Sequence, residues 1–209
     1  DLERFDPDVI ILQRQLGDER LDAMRRIKAF SRAFKVYELD DYLPNLPLKN
    51  LHREQMPKDL LKSLRKGLSY VDRFVVSTQP LAEAFAGLHK DIRVVENRLP
   101  LDWWQNLEGQ RRRGHKPRVG WAGGVSHTGD LELIVDVVRE LVGEVEWVFM
   151  GMCPEQIRPY VHEIHAGVDI QAYPAGLAAL DLDLALAPVE NNLFNECKSN
   201  LRLLEYGAC

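Results

Sequence analysis

Residues 118–130 read Arg118-Val119-Gly120-Trp121-Ala122-Gly123-Gly124-Val125-Ser126-His127-Thr128-Gly129-Asp130. The run over 118–122 is short and mostly apolar, which predicts a buried strand rather than a helix. Gly123 and Gly124 then make a turn, and apolar residues recur at helical spacing from about Asp130 to Leu141. A strand, a glycine turn and a helix in this order are typical of a βαβ unit.

The same alternation runs through the rest of the chain. Apolar runs predict further strands at 8–12, 35–39, 73–77, 92–95, 146–150, 168–170 and 184–188. Helical spacing predicts helices at 19–34, 58–70, 79–88, 154–165 and 199–206. Strands separated by helices favour parallel sheets, so the sequence predicts an α/β fold with two Rossmann-like domains.

The pattern changes between Pro100 and Pro117, which predicts a linker. We therefore expect an N-terminal domain over 1–102, a linker to about 117, and a C-terminal domain over 118–209. The basic run 111–113 in the linker is either a solvated hinge or an attractor of phosphate. Because the chain opens and stops directly at predicted elements, we expect both domains to be incomplete and the chain to be truncated at both ends.

Composition narrows the class of protein. The chain has 209 residues, 45% of them hydrophobic, and a formal net charge of -5, which gives no support for a nucleic-acid partner. Three scattered cysteines and no signal peptide indicate a reducing, cytoplasmic location. No apolar run approaches the roughly 20 residues that span a bilayer.

The glycine turn is the first candidate site. Glycines allow close approach of a ligand to the backbone, and the N–H groups of the following helix can bind a phosphate. Ser126 and His127 would add donors there. The alternative is an ordinary tight turn in which Ser126, Thr128 or Asp130 caps the helix and His127 is a neutral loop residue.

The last stretch, 186–209, is the second candidate site. A strand ends at Pro188, a polar loop follows, and a helix begins near Ser199. Lys198 and the start of this helix can neutralise a diphosphate, and the Glu205 carboxylate can accept hydrogen bonds from a vicinal diol such as ribose. The alternative is that Lys198 and Glu205 are surface residues of an ordinary helix.

Taken together, these stretches resemble the retaining family 4 glycosyltransferases of the GT-B fold, and the resemblance spans essentially the whole chain. Leu204-Glu205-Tyr206-Gly207-Ala208-Cys209 fits the second half of the family's Glu-x7-Glu region. Asn195-Glu196-Cys197-Lys198-Ser199 resembles the variant found in O-antigen and other surface-polysaccharide transferases. Residues 91–100 resemble the phrase that closes the family's acceptor domain, and residues 71–78 look like the strand before it.

This resemblance implies transfer of a sugar from a nucleoside diphosphate sugar to a glycan or lipid-linked hydroxyl, with no cofactor and no bound metal. Glu205 would bind the donor ribose, and Lys198 with the Gly123-Gly124 loop would hold the diphosphate. Ser126, His127, Asn195 and Ser199 would also bind the donor. Tyr173 would face the nucleobase, and Glu196 would approach the transferred sugar. Asp40 and Asp41 would touch the acceptor or act as its base.

The chain also departs from the family pattern. Glu196 and Glu205 are one residue further apart than in the family, and the acceptor-domain His is replaced by Leu39-Asp40-Asp41. The Arg and Lys that follow the first strand of the donor domain in many members are absent, which leaves His127 and Lys198 to balance the charge.

Three alternatives stay open. One is that the chain is a nucleotide-sugar epimerase, an enzyme that needs acid and base groups in its cleft. Another is that the chain is a non-catalytic module that binds a nucleotide sugar or a partner protein. Separately, the basic amphipathic stretch at 58–66 fits peripheral contact with the inner face of the membrane, and its alternative is a packed helix with a solvated face.

Overall fold

The computed structural model describes residues 2–47, 53, 56, 57, 59–109, 114 and 116–209. The described residues of 2–46, 53–97 and 192–199 form one compact unit, and Pro47 with those of 98–191 and 200–209 forms a second. Residues 192–199 are predicted from sequence to belong with the C-terminal domain. They cluster instead with the first unit because Phe194 and Cys197 are buried in its core.

Helices and strands alternate along most of the described chain, as the sequence pattern predicts. Their order is α1 (Leu2–Phe5), β1 (Val9–Gln13), α2 (Asp18–Phe30), β2 (Phe34–Leu39), α3 (Leu60–Leu68), β3 (Arg73–Val76), α4 (Gln79–Ala84), β4 (Ile92–Val94), α5 (Leu101–Trp104), β5 (Arg118–Gly123), α6 (Thr128–Glu132), α7 (Val135–Glu140), β6 (Glu146–Gly151), β7 (Glu163–His165), α8 (Tyr173–Ala179), β8 (Leu184–Ala185), α9 (Leu193–Glu196) and α10 (Leu201–Gly207).

Each unit is built on a four-stranded sheet. The first has the order β1-β2-β3-β4 and the second β7-β6-β5-β8, and every strand pair in both is parallel. The carboxyl ends of parallel strands meet at one edge of a sheet, which is where ligands bind in open α/β folds. The loops after β5, β6 and β8 therefore share one edge of the second sheet.

The second sheet is covered on both faces. Along β6, Trp147 and Phe149 pack with α6 and α7 residues, whereas Val148 and Met150 pack with Leu177 and other residues of the opposite face. This period of two is the alternation of side chains along a strand. Burial on both faces explains why β5 and β6 are nearly continuous apolar runs in the sequence.

Arg118, the first residue of β5, anchors the amino-terminal edge of this sheet. Its side chain is 5% exposed and bonds to Glu163 at 2.8 Å and to Glu146 at 3.1 Å. The guanidinium also donates to the carbonyl oxygen of Leu180 at 3.0 and 3.1 Å. A buried cation with this many acceptors joins β5 to β6, β7 and the end of α8.

We expect Arg118→Met to lower the free energy of unfolding by about 2 kcal/mol, because it removes the hydrogen bonds that Arg118 gives to one buried carbonyl and two carboxylates. The carboxylates are about a third exposed and can rehydrate, which limits the loss. Urea denaturation measures it. The control is Arg139→Met, which removes a more exposed ion pair to Asp136 and should cost under about 0.5 kcal/mol. Equal losses in the two variants would contradict the role given to Arg118.

Several predicted elements are corrected. The helix predicted over 154–165 is wrong, because Pro159 lacks an N–H and disfavours helix at the residue before it. The structure instead has a 3₁₀ turn at Arg158–Tyr160 and strand β7, so the strand predicted at 168–170 is also wrong. The helix predicted over 130–141 is two short helices, α6 and α7. A further helix, α9, lies where a polar loop is predicted before Ser199.

The basic stretch at 58–66 forms most of α3. Lys58 lies outside the described residues. Leu60 and Leu64 are buried in the first core, so these leucines are not available to a lipid surface, although Leu61 is 44% exposed. The structure therefore favours the packed-helix alternative for α3. In the part of the chain that is described, no helix has the length and apolar character needed to cross a bilayer.

Candidate functional site

The carboxyl ends of β5 and β6 are joined at a pair of glycines. The Met152 N–H donates to the Gly123 carbonyl at 3.0 Å. Gly151 has a φ of 87°, and a Cβ there would overlap that carbonyl oxygen, so this close approach requires glycine. A Cβ on Gly123 would collide with the Trp121 ring, whereas one on Gly124 would meet open space. The backbone at this strand end is thus open on the Gly124 side.

A cavity of about 580 Å³ lies at this edge of the second sheet. It is lined by Gly123, Gly124, Val125, Met150, Gly151, Met152, Gly167, Val168, Ile170, Tyr173, Arg202 and Glu205. A larger hollow of about 1030 Å³ runs beside β8. Its lining includes Gly109, Gly114 and Lys116. The predicted donor-site residues Tyr173 and Glu205 line the smaller cavity and are not part of the larger one.

One end of the smaller cavity carries three linked polar side chains. Arg202 Nη1 donates to the Tyr173 hydroxyl at 2.6 Å and to the carbonyl oxygen of Ala122. The Tyr173 hydroxyl donates to Glu205 Oε2 at 3.2 Å, and Arg202 lies 3.5 Å from the same oxygen. Arg202 and Glu205 are three residues apart on α10, which puts them on one face of the helix.

The electrostatics of Glu205 depend on its burial. Burial raises the pKa of this carboxyl above its usual range, and the charge of Arg202 and the bond from Tyr173 oppose that shift. Its side chain is 13% exposed and that of Arg202 is 27% exposed. Glu205 is therefore a desolvated acceptor whose charged form depends on its two neighbours.

The turn after β5 holds Ser126 and His127 in a 3₁₀ segment, Val125–His127. His127 Nδ1 lies 2.8 Å from Asp130 Oδ2, and its ring packs against Trp121. Asp130 is 5% exposed and its other oxygen accepts the Glu190 N–H at 2.8 Å. The Asp130 side chain thus fixes the His127 ring and joins this turn to the loop after β8.

In the first unit, Asp40 and Asp41 follow β2 and share one cation. Arg14 Nη2 lies 2.8 Å from Asp40 Oδ1 and 2.8 Å from Asp41 Oδ2. Ser77, after β3, donates to the Asp40 carbonyl at 3.0 Å. Arg14 has a φ of 47°, a left-handed conformation that is uncommon for a residue with a side chain. These groups all lie at the carboxyl edge of the first sheet.

Burial raises the pKa of Asp41, and the neighbouring Asp40 carboxylate raises it further. The charges of Arg14 and Lys198 act in the opposite direction. Asp41 therefore holds its proton to a higher pH than an ordinary aspartate.

The remaining predicted residues lie in the segment 192–199 of the first unit. Glu196 is exposed at the end of α9, and the Asn195 N–H is capped by Asn192 Oδ1 at 2.9 Å. Lys198 Nζ stands 4.8 Å from the centre of the Phe194 ring. Ser199 Oγ accepts from Asn97 at 3.1 Å.

Among the predicted donor-site residues, the structure brings Gly123, Gly124, Tyr173 and Glu205 to one cavity. Ser126 and His127 lie in the adjoining turn, and Asn195, Lys198 and Ser199 belong to the first unit. Sequence reasoning missed Arg202 and Arg14. The three-residue spacing of Arg202 and Glu205 in a predicted helix is a signal for the first, whereas the contact of Arg14 depends on strand order.

No family model and no curated protein matches the sequence. Solved structures do match the fold. The crystal structure of TarM has a TM-score of 0.54 and 12% identity, and the match covers 88% of this chain and 37% of that one. The catalytic domain of starch synthase IV from Arabidopsis thaliana, bound to ADP and acarbose, has a TM-score of 0.56 and 9% identity, over 88% of this chain and 52% of that one.

A variant of TarM from S. aureus in complex with fondaparinux, α-GlcNAc-glycerol and UDP matches with a TM-score of 0.52 and 13% identity, over 88% of this chain and 38% of that one. This chain thus spans between about a third and about half the length of these structures. At such identities the likeness is one of fold. The α/β architecture with two parallel sheets is therefore confirmed, and it is the fold of the GT-B glycosyltransferases.

Proposed function

We propose that this chain is part of a glycosyltransferase that uses a nucleoside diphosphate sugar as donor. The observation that carries the proposal is the cavity at the carboxyl edge of the second sheet, where Tyr173, Arg202 and Glu205 converge beside an apolar wall. An apolar pocket with a few convergent polar groups is the usual form of a small-molecule site.

The chemistry of the lining matches the parts of a nucleoside diphosphate. Met150, Met152, Val168 and Ile170 offer an apolar surface to a nucleobase. The Glu205 carboxylate can accept two hydrogen bonds from ribose hydroxyls. The open backbone at Gly124 and the cation of Arg202 can take the diphosphate, where negative charge develops as the leaving group departs.

The narrower assignments are also proposals. We assign the chain to the retaining family 4 type that acts in O-antigen or other surface-polysaccharide synthesis, with a glycan or lipid-linked acceptor, on the sequence phrases at 195–199 and 204–209. Arg202 supports a site that balances the leaving charge with a side chain rather than with a metal. The free thiols of Cys153 and Cys197, both buried, support a reducing cytoplasmic location.

The first test is calorimetric titration of the chain with UDP, ADP and GDP, followed by incubation with the matching nucleotide sugars. We expect one diphosphate to bind and to stabilise the chain thermally. The full-length protein should then transfer sugar to a glycan acceptor and release the nucleoside diphosphate. Binding without turnover would favour the non-catalytic module, and conversion of the nucleotide sugar without release of diphosphate would favour the epimerase. If none of the three diphosphates binds, the donor-site assignment is wrong.

A further inference from the structure

We infer that Arg202 binds the diphosphate of the donor. When the donor enters the cavity, the Arg202 guanidinium leaves Glu205 and bonds to the phosphate oxygens instead. This inference rests on the proposed function and assigns a residue that the sequence pattern leaves out. The charge-balancing role predicted for Lys198 would then belong to a residue of α10.

The guanidinium of Arg202 is placed at the strand end where the glycine turn begins. Nη1 bonds the Ala122 carbonyl and the Tyr173 hydroxyl. Nη2 lies against the next residue of β5, since a Cβ placed on Gly123 would be only 3.3 Å away from it. Both of these hydrogen bonds use Nη1, and Nη2, which lies next to Gly123, is the nitrogen placed to reach a phosphate oxygen beside the open backbone of Gly124.

Charge makes Arg202 the natural partner of an anion in this cavity. Among the lining residues that the structure describes, it is the cation and Glu205 is the anion. The helices at this edge are short, since α6 has five residues and α10 has seven. A macrodipole is the sum of aligned peptide units, so side-chain charge has to supply most of the attraction.

The weakness of the ion pair between Arg202 and Glu205 favours replacement of Glu205 by a phosphate. At 3.5 Å and with imperfect hydrogen-bond geometry, the Arg202–Glu205 contact is a weak partner for a guanidinium. A diphosphate offers more negative charge and a bidentate geometry that suits arginine. Once Arg202 turns to it, the Glu205 carboxylate is released toward the ribose hydroxyls, while Tyr173 still holds Glu205 Oε2.

A purely structural role for Arg202 has to be distinguished from direct binding of the diphosphate. The bond to Ala122 ties α10 to β5, so loss of Arg202 could loosen the pocket as a whole. Three variants distinguish the two roles: Arg202→Lys keeps the charge, Arg202→Gln removes the charge and leaves an amide two bonds shorter than the arginine, and Leu203→Ala alters an exposed neighbour on the same helix.

The experiment measures the affinity of each variant for the nucleoside diphosphate that binds the unmodified chain, and for its nucleoside by competition. For Arg202→Gln we expect the diphosphate to bind about 10- to 100-fold more weakly, with the nucleoside changed less than about threefold. Arg202→Lys should recover part of the loss, and Leu203→Ala should change neither affinity. The loss of diphosphate affinity in Arg202→Gln should be smaller at high salt, because salt screens the charge of the arginine in the unmodified chain.

Equal losses for nucleoside and diphosphate would overturn the inference and assign Arg202 a structural role, as would unchanged diphosphate affinity in Arg202→Gln. Thermal melts show whether each variant is folded. If Arg202→Gln is not folded, the diphosphate and nucleoside affinities of Arg202→Lys are compared with those of the unmodified chain instead. If the unmodified chain binds no nucleoside diphosphate, the proposed function and this inference fail together. Binding by the unmodified chain without a selective effect of Arg202 overturns the inference alone.

Discussion

Replacing Glu205 by glutamine is expected to weaken binding of the nucleoside diphosphate by about 30- to 100-fold, because two charge-assisted hydrogen bonds from a diol are worth roughly 2–3 kcal/mol in a desolvated site. Glutamine keeps the shape and one acceptor oxygen but not the charge. Calorimetry measures the loss, with Leu203→Ala on the exposed side of α10 as the control.

The same substitution should leave the fold intact. Burial disfavours the charged form of Glu205, so its raised pKa means that the ionised carboxylate is a cost to the folded state above that pKa. This contribution is most favourable at low pH, where Glu205 is protonated in both states, and is lost as the pH rises through the raised pKa. We therefore expect the free energy of unfolding of Glu205→Gln at neutral pH to lie within about 1 kcal/mol of the unmodified chain. A large loss of stability would mean that the weakened binding reports unfolding.

Binding should also depend on pH through this group. Ribose hydroxyls donate to the ionised carboxylate, so affinity falls as the pH falls through the raised pKa of Glu205, at a higher pH than for an exposed glutamate. The Glu205→Gln variant should lack this dependence. An identical pH profile in the two proteins would assign the titration to another group and would remove Glu205 from the ribose contact.

How much of this site could be predicted from the sequence depends on the range of the contacts involved. The apolar runs that become β1, β2, β3, β5 and β6 are local signals, and the predicted strands agree with the structure to within one or two residues. The glycine turn and Glu205 are likewise found from residues close together in the chain. The fold class follows from these local patterns and their alternation.

The errors arise where a local pattern is ambiguous or a contact is remote. Residues 154–165 have helical apolar spacing, but Pro159 and the pairing of β7 with β6 outweigh it. Arg202 contacts Ala122, which lies 80 positions earlier, so only the fold can place it. In the same way, the burial of Phe194 and Cys197 in the first core takes the segment 192–199 away from the predicted domain.

Asp40 and Asp41, which follow β2, show which part of a site can be predicted from neighbouring residues in the sequence and which part cannot. The sequence places Asp40 and Asp41 at a strand end without distinguishing them. The structure adds Arg14 from the end of β1, a cation that only the parallel pairing of β1 with β2 brings there. It also partly buries Asp41 and raises the pKa of its carboxyl, which makes Asp41 a candidate for a base.

We expect Asp41→Asn to lower the rate of sugar transfer by the full-length protein by about 100-fold or more, which is the usual contribution of a general base. Binding of the nucleoside diphosphate should be unchanged, because Asp41 is not among the residues that line the cavity at the carboxyl edge of the second sheet. The control is Asp22→Asn, which removes an exposed carboxylate on α2. A rate within about threefold of the unmodified enzyme would exclude Asp41 as the base.

The neighbouring carboxylate provides the sharper test of the same assignment. A base acts when it is deprotonated, so the rate should fall as the pH falls through the raised pKa of Asp41. The Asp40 carboxylate raises that pKa by repulsion, and Asp40→Asn removes the repulsion while Arg14 stays to hold Asp41. The acid limb of the rate profile should therefore move to lower pH in Asp40→Asn. A limb that stays in place would mean that the rate reports a different group, and that the pair held by Arg14 serves to position the acceptor or the strand ends rather than to remove its proton.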